Sequence, residues 1–181
     1  MHECARNSPL PAILTRIRDL AKDGLAEARR SVMALRPDQT RRVGLELALK
    51  QLAERSTVDG RIVCSFEGAL SGDGLAPERQ HELLRIAQEA VSNAVRHAHP
   101  ANVRILLQEE SALWRLMVVD DGRGMTLMPE LYASQGYGLN NMRERAGAIG
   151  GQFQIDSRPG EGTSVIVILP RPAQYYAKSA S

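Results

Sequence analysis

A chain of 181 residues with 43% hydrophobic content is long enough for one good-sized domain with a true core, and for a helical appendage beside it. The net charge of +2, with no block of lysine or arginine, excludes a basic nucleic-acid arm and a polybasic membrane anchor. Aromatic residues make up only 4%, so the core must be built from Leu, Ile, Val and Ala. Two cysteines, Cys4 and Cys64, form neither a metal motif nor a disulfide framework, and Cys64, in an apolar run, reads as a buried thiol in reduced, cytoplasmic surroundings. The longest apolar run, Val165–Leu169, is far too short to cross a bilayer, and the N-terminus lacks a signal-peptide core. A membrane anchor in a longer parent protein stays open.

Residues 1–9 read as a disordered leader. From Leu10 to Leu35 apolar residues recur at helical spacing, among them Ile13, Ile17, Leu20, Leu25, Val32 and Leu35, with Arg and Lys opposite. This predicts a long amphipathic helix, weakened at Gly24 and ended by Pro37. A second helix is expected over 41–57, on Val43, Leu45, Leu47, Ala48, Leu49, Leu52 and Ala53. Asp59-Gly60 is a turn before the strand Arg61–Glu67, in which Ile62, Cys64 and Phe66 alternate. After a loop over 68–74, Pro77 opens a helix that His99-Pro100 closes. Along it Leu83, Ile86, Ala87, Ala90 and Ala94 form an apolar stripe edged by Val91. Strands are expected over Asn102–Glu109, Trp114–Val119, Gln152–Ser157 and Thr163–Leu169, the first two joined as a hairpin at Glu110-Ser111. A helix over Gly138–Ile149 ends at Gly150-Gly151. Two helices followed by a mixed sheet with helices stacked on one face make a two-layer α/β sandwich. The boundaries expected are a leader and helix over 1–38, the sandwich over 39–171 and a flexible tail over 172–181.

The polar side of the helix over 77–98 carries Glu89 and Asn93, four residues apart and stacked on one face, with Arg96 and His97 a turn further on. A carboxylate, a carboxamide and two basic groups on one flank suit Mg²⁺, which takes hard oxygen donors and keeps waters and phosphate oxygens as its other ligands. A solvated surface explains the same residues equally well. Three glycine-bearing stretches follow. Asp120-Asp121-Gly122-Arg123-Gly124 ends a strand with a carboxylate able to accept from an exocyclic amine, beside glycines that let backbone approach a flat ring. Gly136-Tyr137-Gly138-Leu139 opens a helix, where free N–H groups meet phosphates. It is neither a Walker A loop nor a dinucleotide fingerprint. Gly160-Glu161-Gly162-Thr163 enters the last strand. Taken singly, each reads best as an ordinary turn.

In this order and spacing the stretches resemble the ATP-binding domain of sensor histidine kinases, within the superfamily that includes gyrase B, Hsp90 and MutL. QEAVSNAVRHA resembles the family's N box, DDGRGM its first glycine box, GYGLNNMRERAG its second and GEGTSVIVILP its last. The likeness runs over about 78–170. LAEARRSVMALRP followed by GLELALKQLAE is similar to the second dimerisation helix and linker of the nitrate-sensor-type subclass, which extends it to about residue 12.

The resemblance implies a Bergerat-type fold and the cofactors ATP and Mg²⁺. It implies Glu89 as general base and Asn93 as Mg²⁺ ligand, with Arg96 and His97 on phosphate oxygens. Asp120 would accept the adenine amino group, above a floor shaped by Gly122 and Gly124. Gly136 and Gly138 would flank a lid over the triphosphate, and Leu139 and Met142 would wall the pocket, although core packing explains those two as well. Thr163 would support Asp120 and an adenine-bound water, while Asp121 is secondary. The implied partners are a phosphoacceptor helix of the parent kinase, a second copy in the full-length dimer, and a response regulator with a helix-turn-helix output domain. No nucleic-acid partner is expected for this chain.

One departure stands out. The family's phosphoacceptor histidine lies on a first dimerisation helix that this sequence lacks. Of its four histidines, His2 lies too near the second helix, His81 reads as an exposed helix residue, His97 belongs to the N box and His99 ends its helix. A fragment of a larger kinase accounts for this most simply. The alternative is a serine-directed kinase of the anti-sigma-factor type or a non-catalytic nucleotide-binding module, against which the EARRSVMALRP helix argues.

Overall fold

The computed structural model describes residues 44–58, 61–70, 75–126 and 137–172. All of them belong to the compact unit Thr40–Ser181. The long helix expected over 10–35, the lid region to Gly136 and the C-terminal tail lie outside the described residues.

Helix α1 (Leu45–Ser56) presents Leu45, Leu49 and Ala53, one residue per turn, to the core. Leu47, read as part of that face, points away and is 48% exposed. Strand β1 (Val63–Gly68) follows, then helix α2 (Pro77–Asn93), with Pro77 in its first turn as expected. The apolar stripe Leu83, Ile86, Ala87, Ala90, Val91 and Ala94 is buried throughout, joined by Leu84. The helix does not run regularly to its end: Ala94–Ala98 is a π-helical turn, closed by His99 at φ 52° and then Pro100. Strands β2 (Asn102–Glu109) and β3 (Leu113–Asp120) form the expected hairpin. Helix α3 (Tyr137–Ala148) ends where the glycine pair predicted. Gly151 N–H donates to Ala146 O and Gly150 N–H to Gly147 O, a Schellman closure. Strands β4 (Gln152–Arg158) and β5 (Gly162–Pro170) complete the domain.

The five strands lie in the order β1-β2-β3-β5-β4. β1 pairs parallel with β2 and every other pair is antiparallel, so the sheet is mixed. One face carries Val103, Ile105, Leu107, Trp114, Leu116, Val118, Val165, Val167 and Leu169, all buried under the helices together with Leu139, Met142 and Ala146 of α3. The other face carries residues such as Arg104, Arg115 and Gln108. Alternation along each strand thus sets helices on one side and solvent on the other, a two-layer α/β sandwich of the Bergerat type. Cys64 is buried on the helix side, and desolvation pushes its thiol up to about 11. Arg171 fastens the far end of the sheet. Its guanidinium pairs with Glu109 at 2.8 Å, donates to Glu110 O and lies over the Trp114 ring.

Candidate functional site

The site grows from the C-terminal halves of β3 and α2. Asp120 is the last residue of β3, on the helix-covered face, and only 7% exposed. Its Oδ1 accepts from Gly122 N–H at 2.9 Å, folding the chain back over the strand end. Burial pushes its carboxyl up from the ordinary aspartate value. The Gly122 N–H opposes that shift, the neighbouring Asp121 charge adds to it, and the Thr163 N–H opposes it. Thr163 stands opposite Asp120 in the β3–β5 register. Residues 43 positions apart in sequence are therefore adjacent on one face, as the resemblance requires.

The glycines between them are there for close approach. A Cβ on Gly122 would lie 2.5 Å from Ala98 O and 2.6 Å from Ala98 Cβ. The first glycine loop is thus laid directly on the end of the π-helical turn, and Arg123 N–H donates to Ala98 O at 2.8 Å. On its other side Arg123 O accepts from Gly160 N–H at 2.7 Å, tying the loop to the β4–β5 turn. Gly124 and Gly162 take positive φ against the carbonyls of Arg158 and Asp120. Asp121 points the other way. It accepts from Ala101 N–H, Asn102 N–H and Asn102 Nδ2 at 2.7–2.8 Å, and the Asn102 groups hold its carboxyl below the ordinary value. Its work is to fasten the start of β2 to the end of β3.

Glu89 and Asn93 are half-buried on α2. Gly138, in the first turn of α3, comes so near that an added Cβ would lie 2.7 Å from Glu89 Oε1 and 3.4 Å from Asn93 Nδ2. The positive end of the α3 dipole therefore lies beside the Glu89 carboxylate. Arg96 and His97 are exposed on the π-helical turn, and π-turns are frequent at functional sites. Leu139 is buried with Met142 in the core. Gly136 lies outside the described residues. His81, read as exposed, is half-buried on α2.

Among the described residues no three His, Cys, Asp or Glu side chains gather to cage a metal. Glu89 and Asn93 offer a carboxylate and a carboxamide oxygen, hard donors that fit Mg²⁺ because that ion leaves its remaining positions to waters and phosphate oxygens. A purine with an exocyclic amine fits the acceptors at Asp120 and Thr163. A cavity of about 470 Å³, lined by Val63, Ser65, Asn102, Arg104, Val119, Asp120, Asp121 and Glu161, opens on the solvent face of the sheet. It reaches the grouping above only at Asp120. Two contributors escaped the sequence reading: Ala98, the seat of Gly122, and Ser157, a buried hydroxyl beside Thr163.

A mixed sheet covered on one face by helices, with a carboxylate at a strand end and a carboxylate–carboxamide pair on the covering helix, defines a two-layer α/β sandwich with its polar groups gathered at one end. Residues 78–173, more than half of the chain, match the Histidine kinase-, DNA gyrase B-, and HSP90-like ATPase family. The chain belongs to that family and is a domain related to those of sensor histidine kinases. It is 32% identical over 154 residues to sensor histidine kinase LiaS of Bacillus subtilis, covering 85% of this chain and 42% of that protein. It is 29% identical over 154 residues to the histidine-protein kinase/phosphatase DegS of Brevibacillus brevis, covering 85% and 39%. The chain thus spans less than half the length of these relatives. Among solved structures, the blue-light activated histidine kinase EL346 of Erythrobacter litoralis shares the fold with a TM-score of 0.61 at 18% identity, over 97% of this chain and 64% of that one. The ATP binding domain of PrrB from Mycobacterium tuberculosis does so with a TM-score of 0.54 at 21% identity, over 72% and 96%. No helix among the described residues is long and apolar enough to cross a membrane.

Proposed function

We propose that residues 39–171 are the catalytic ATP-binding domain of a two-component sensor histidine kinase, cytoplasmic and of the nitrate-sensor-type subclass. In this reading residues 1–38 carry part of its dimerisation hairpin and 172–181 a flexible tail. The domain gives the γ-phosphate of ATP to a histidine on a helix outside this chain, from which it passes to a response regulator. The observation that carries the reading is the seating of Gly138 against Glu89 and Asn93, which brings the two motifs of the phosphate end into contact.

Phosphoryl transfer needs positioning and charge neutralisation more than covalent help from the protein. Asn93 would hold Mg²⁺, which when bound would supply positive charge to neutralise the phosphates. Arg96 and His97 would donate to those oxygens, and Glu89 would orient or deprotonate the attacking group. Asp120 would accept from the adenine amino group, with Thr163 beside it and Gly122 and Gly124 shaping the floor. Gly136 and Gly138 would flank the lid.

Calorimetry of ADP with Mg²⁺ tests the site. Binding is expected in the wild type and is expected to be lost in Asp120→Ala and Asn93→Ala with cooperative unfolding retained. Normal affinity in both variants would remove the assignment. Incubation with labelled ATP and a separate polypeptide bearing the acceptor helix tests the reaction: label on histidine supports it, and label on a partner's serine overturns it.

A further inference from the structure

Ser157 stands on β4 directly across from Thr163 on β5, and both hydroxyls are buried on the helix side of the sheet. Three groups converge on the one Ser157 hydroxyl. Met125 N–H donates to Oγ at 2.9 Å. The Gly162 carbonyl oxygen lies 2.9 Å away, and so does Thr163 Oγ1. A hydroxyl has one hydrogen and two lone pairs. A carbonyl only accepts, so the Ser157 hydrogen goes to Gly162 O. One lone pair takes the Met125 N–H. The contact with Thr163 is then satisfied only if Thr163 donates and Ser157 accepts.

This proton count has a consequence on the next strand. With its hydrogen committed to Ser157, Thr163 has only lone pairs to offer any other neighbour. Asp120, its partner across β3–β5, is likewise an acceptor. We infer that Ser157 is a positioning residue that fixes Thr163 as an acceptor, so that Asp120 and Thr163 select a nucleobase carrying an exocyclic amine over one carrying a carbonyl there. The inference rests on the ATP reading above and adds the residue that sets its base preference. Without the Ser157 hydroxyl, the Thr163 hydrogen is free to turn toward the Asp120 carboxylate or toward a base carbonyl. Either outcome weakens the preference for the amine.

The test compares ADP with IDP, which differ at that purine position, by calorimetry with Mg²⁺ on the full chain. Wild type is expected to prefer ADP. In Ser157→Ala the ADP/IDP affinity ratio is expected to fall about five- to tenfold, the effect of one hydrogen bond. Should the alanine variant unfold, Ser157→Cys, slightly larger than serine, keeps the site filled and offers only a weak donor and acceptor, and is expected to lower the ratio in the same direction. In a Thr163→Val background, Ser157→Ala should leave the ratio where it is. An unchanged ratio in the Ser157 variants overturns the inference, including the case where both nucleotides weaken alike. So does a Ser157 effect that persists in Thr163→Val. Wild type binding neither nucleotide removes the ATP reading and this inference together, whereas wild-type ADP binding with an unmoved ratio removes this inference alone.

Discussion

Replacing Gly138 by alanine separates the catalytic reading of the phosphate end from a structural one. The new Cβ would lie 2.7 Å from Glu89 Oε1. An ordinary carbon–oxygen contact begins near about 3.3 Å, so the carboxylate must withdraw by roughly 0.6 Å. The obstacle is the tip of a flexible side chain, not backbone, and the withdrawal costs the fold little. Asn93 Nδ2, at 3.4 Å, is already at an ordinary contact distance and stays in place. Alanine is the better helix former by up to about 1 kcal/mol, which at this chain length raises Tm by at most about 2–4 °C. Activity should move the other way. Misplacing a catalytic group by 1 Å can cost about 10²-fold, so a shift of roughly 0.6 Å predicts about a tenfold loss in the rate of phosphoryl transfer.

The assay measures three quantities on one preparation: Tm, ADP affinity by calorimetry, and the rate of labelling of a polypeptide bearing the acceptor histidine. Tm is expected to hold or rise, ADP affinity to stay within about twofold, and the rate to fall about tenfold. In a Glu89→Ala background Gly138→Ala should lower the rate no further, because the group it displaces is gone. An unchanged rate in the single variant would refute the role given to Glu89. A loss confined to ADP affinity would refute it too, by showing that the displaced group binds nucleotide without taking part in transfer.

Gly122→Ala meets the Ala98 backbone, which cannot swing aside as a side-chain tip can. It should destabilise by about 1–3 kcal/mol, read as a drop in Tm of roughly 2–12 °C. Asp120→Asn should abolish ADP binding while relieving a burial penalty. Because the Asp120 pKa is raised in the folded state, wild-type stability falls as pH climbs from the unfolded value of 3.8 through the folded one, so the variant's Tm relative to wild type should rise over that window and then level off. Asp121→Ala should show the opposite trend. The lowered pKa of Asp121 contributes stability present above 3.8 and lost as pH falls through the folded value, so the deficit of the variant should be full at neutral pH and fade in acid.

The elements were legible where one periodicity dominated. The limits of β2 follow the alternation of Val103, Ile105 and Leu107 residue for residue, and the buried stripe of α2 is the one its spacing predicts. Leu47 was misplaced because the helix over 45–56 is apolar on more than one side, and only packing chooses the stripe Leu45, Leu49, Ala53. The π-helical turn had no signal, since AVRHA is as helix-compatible as the residues before it. Glu89 and Asn93 were readable as a pair because helical geometry alone puts i and i+4 together. Asp120 and Thr163 were brought together only by resemblance, because their adjacency depends on β5 pairing with β3, which no local pattern states. Ser157 was invisible for the same reason twice over: its role needs the β4–β5 register and the return of Met125 from the first glycine loop.

The base and phosphate ends of the proposed nucleotide site are held by different physics, and that difference predicts how they fail. At the base end Asp120, Gly122, Ser157 and Thr163 are buried and linked by hydrogen bonds to one another or to backbone on three separate elements. A buried polar network loses the desolvation cost of every group left unpaired, so substitutions there disturb folding and recognition together. At the phosphate end Glu89 and Asn93 are half-buried, and Arg96 and His97 are exposed. Water replaces whatever partner such groups lose, so their substitution touches stability little. Variants of Gly122, Ser157 and Thr163 should therefore fall on a line relating lost nucleotide affinity to lost Tm, from which Asp120→Asn departs because it relieves a burial penalty. Variants of Asn93, Arg96 and His97 should fall off it, losing nucleotide at nearly constant Tm. If Arg96→Ala and His97→Ala left both affinity and transfer rate unchanged, the π-helical turn would be reduced to a seat for Gly122, and the phosphate contacts would have to come from elsewhere in the chain.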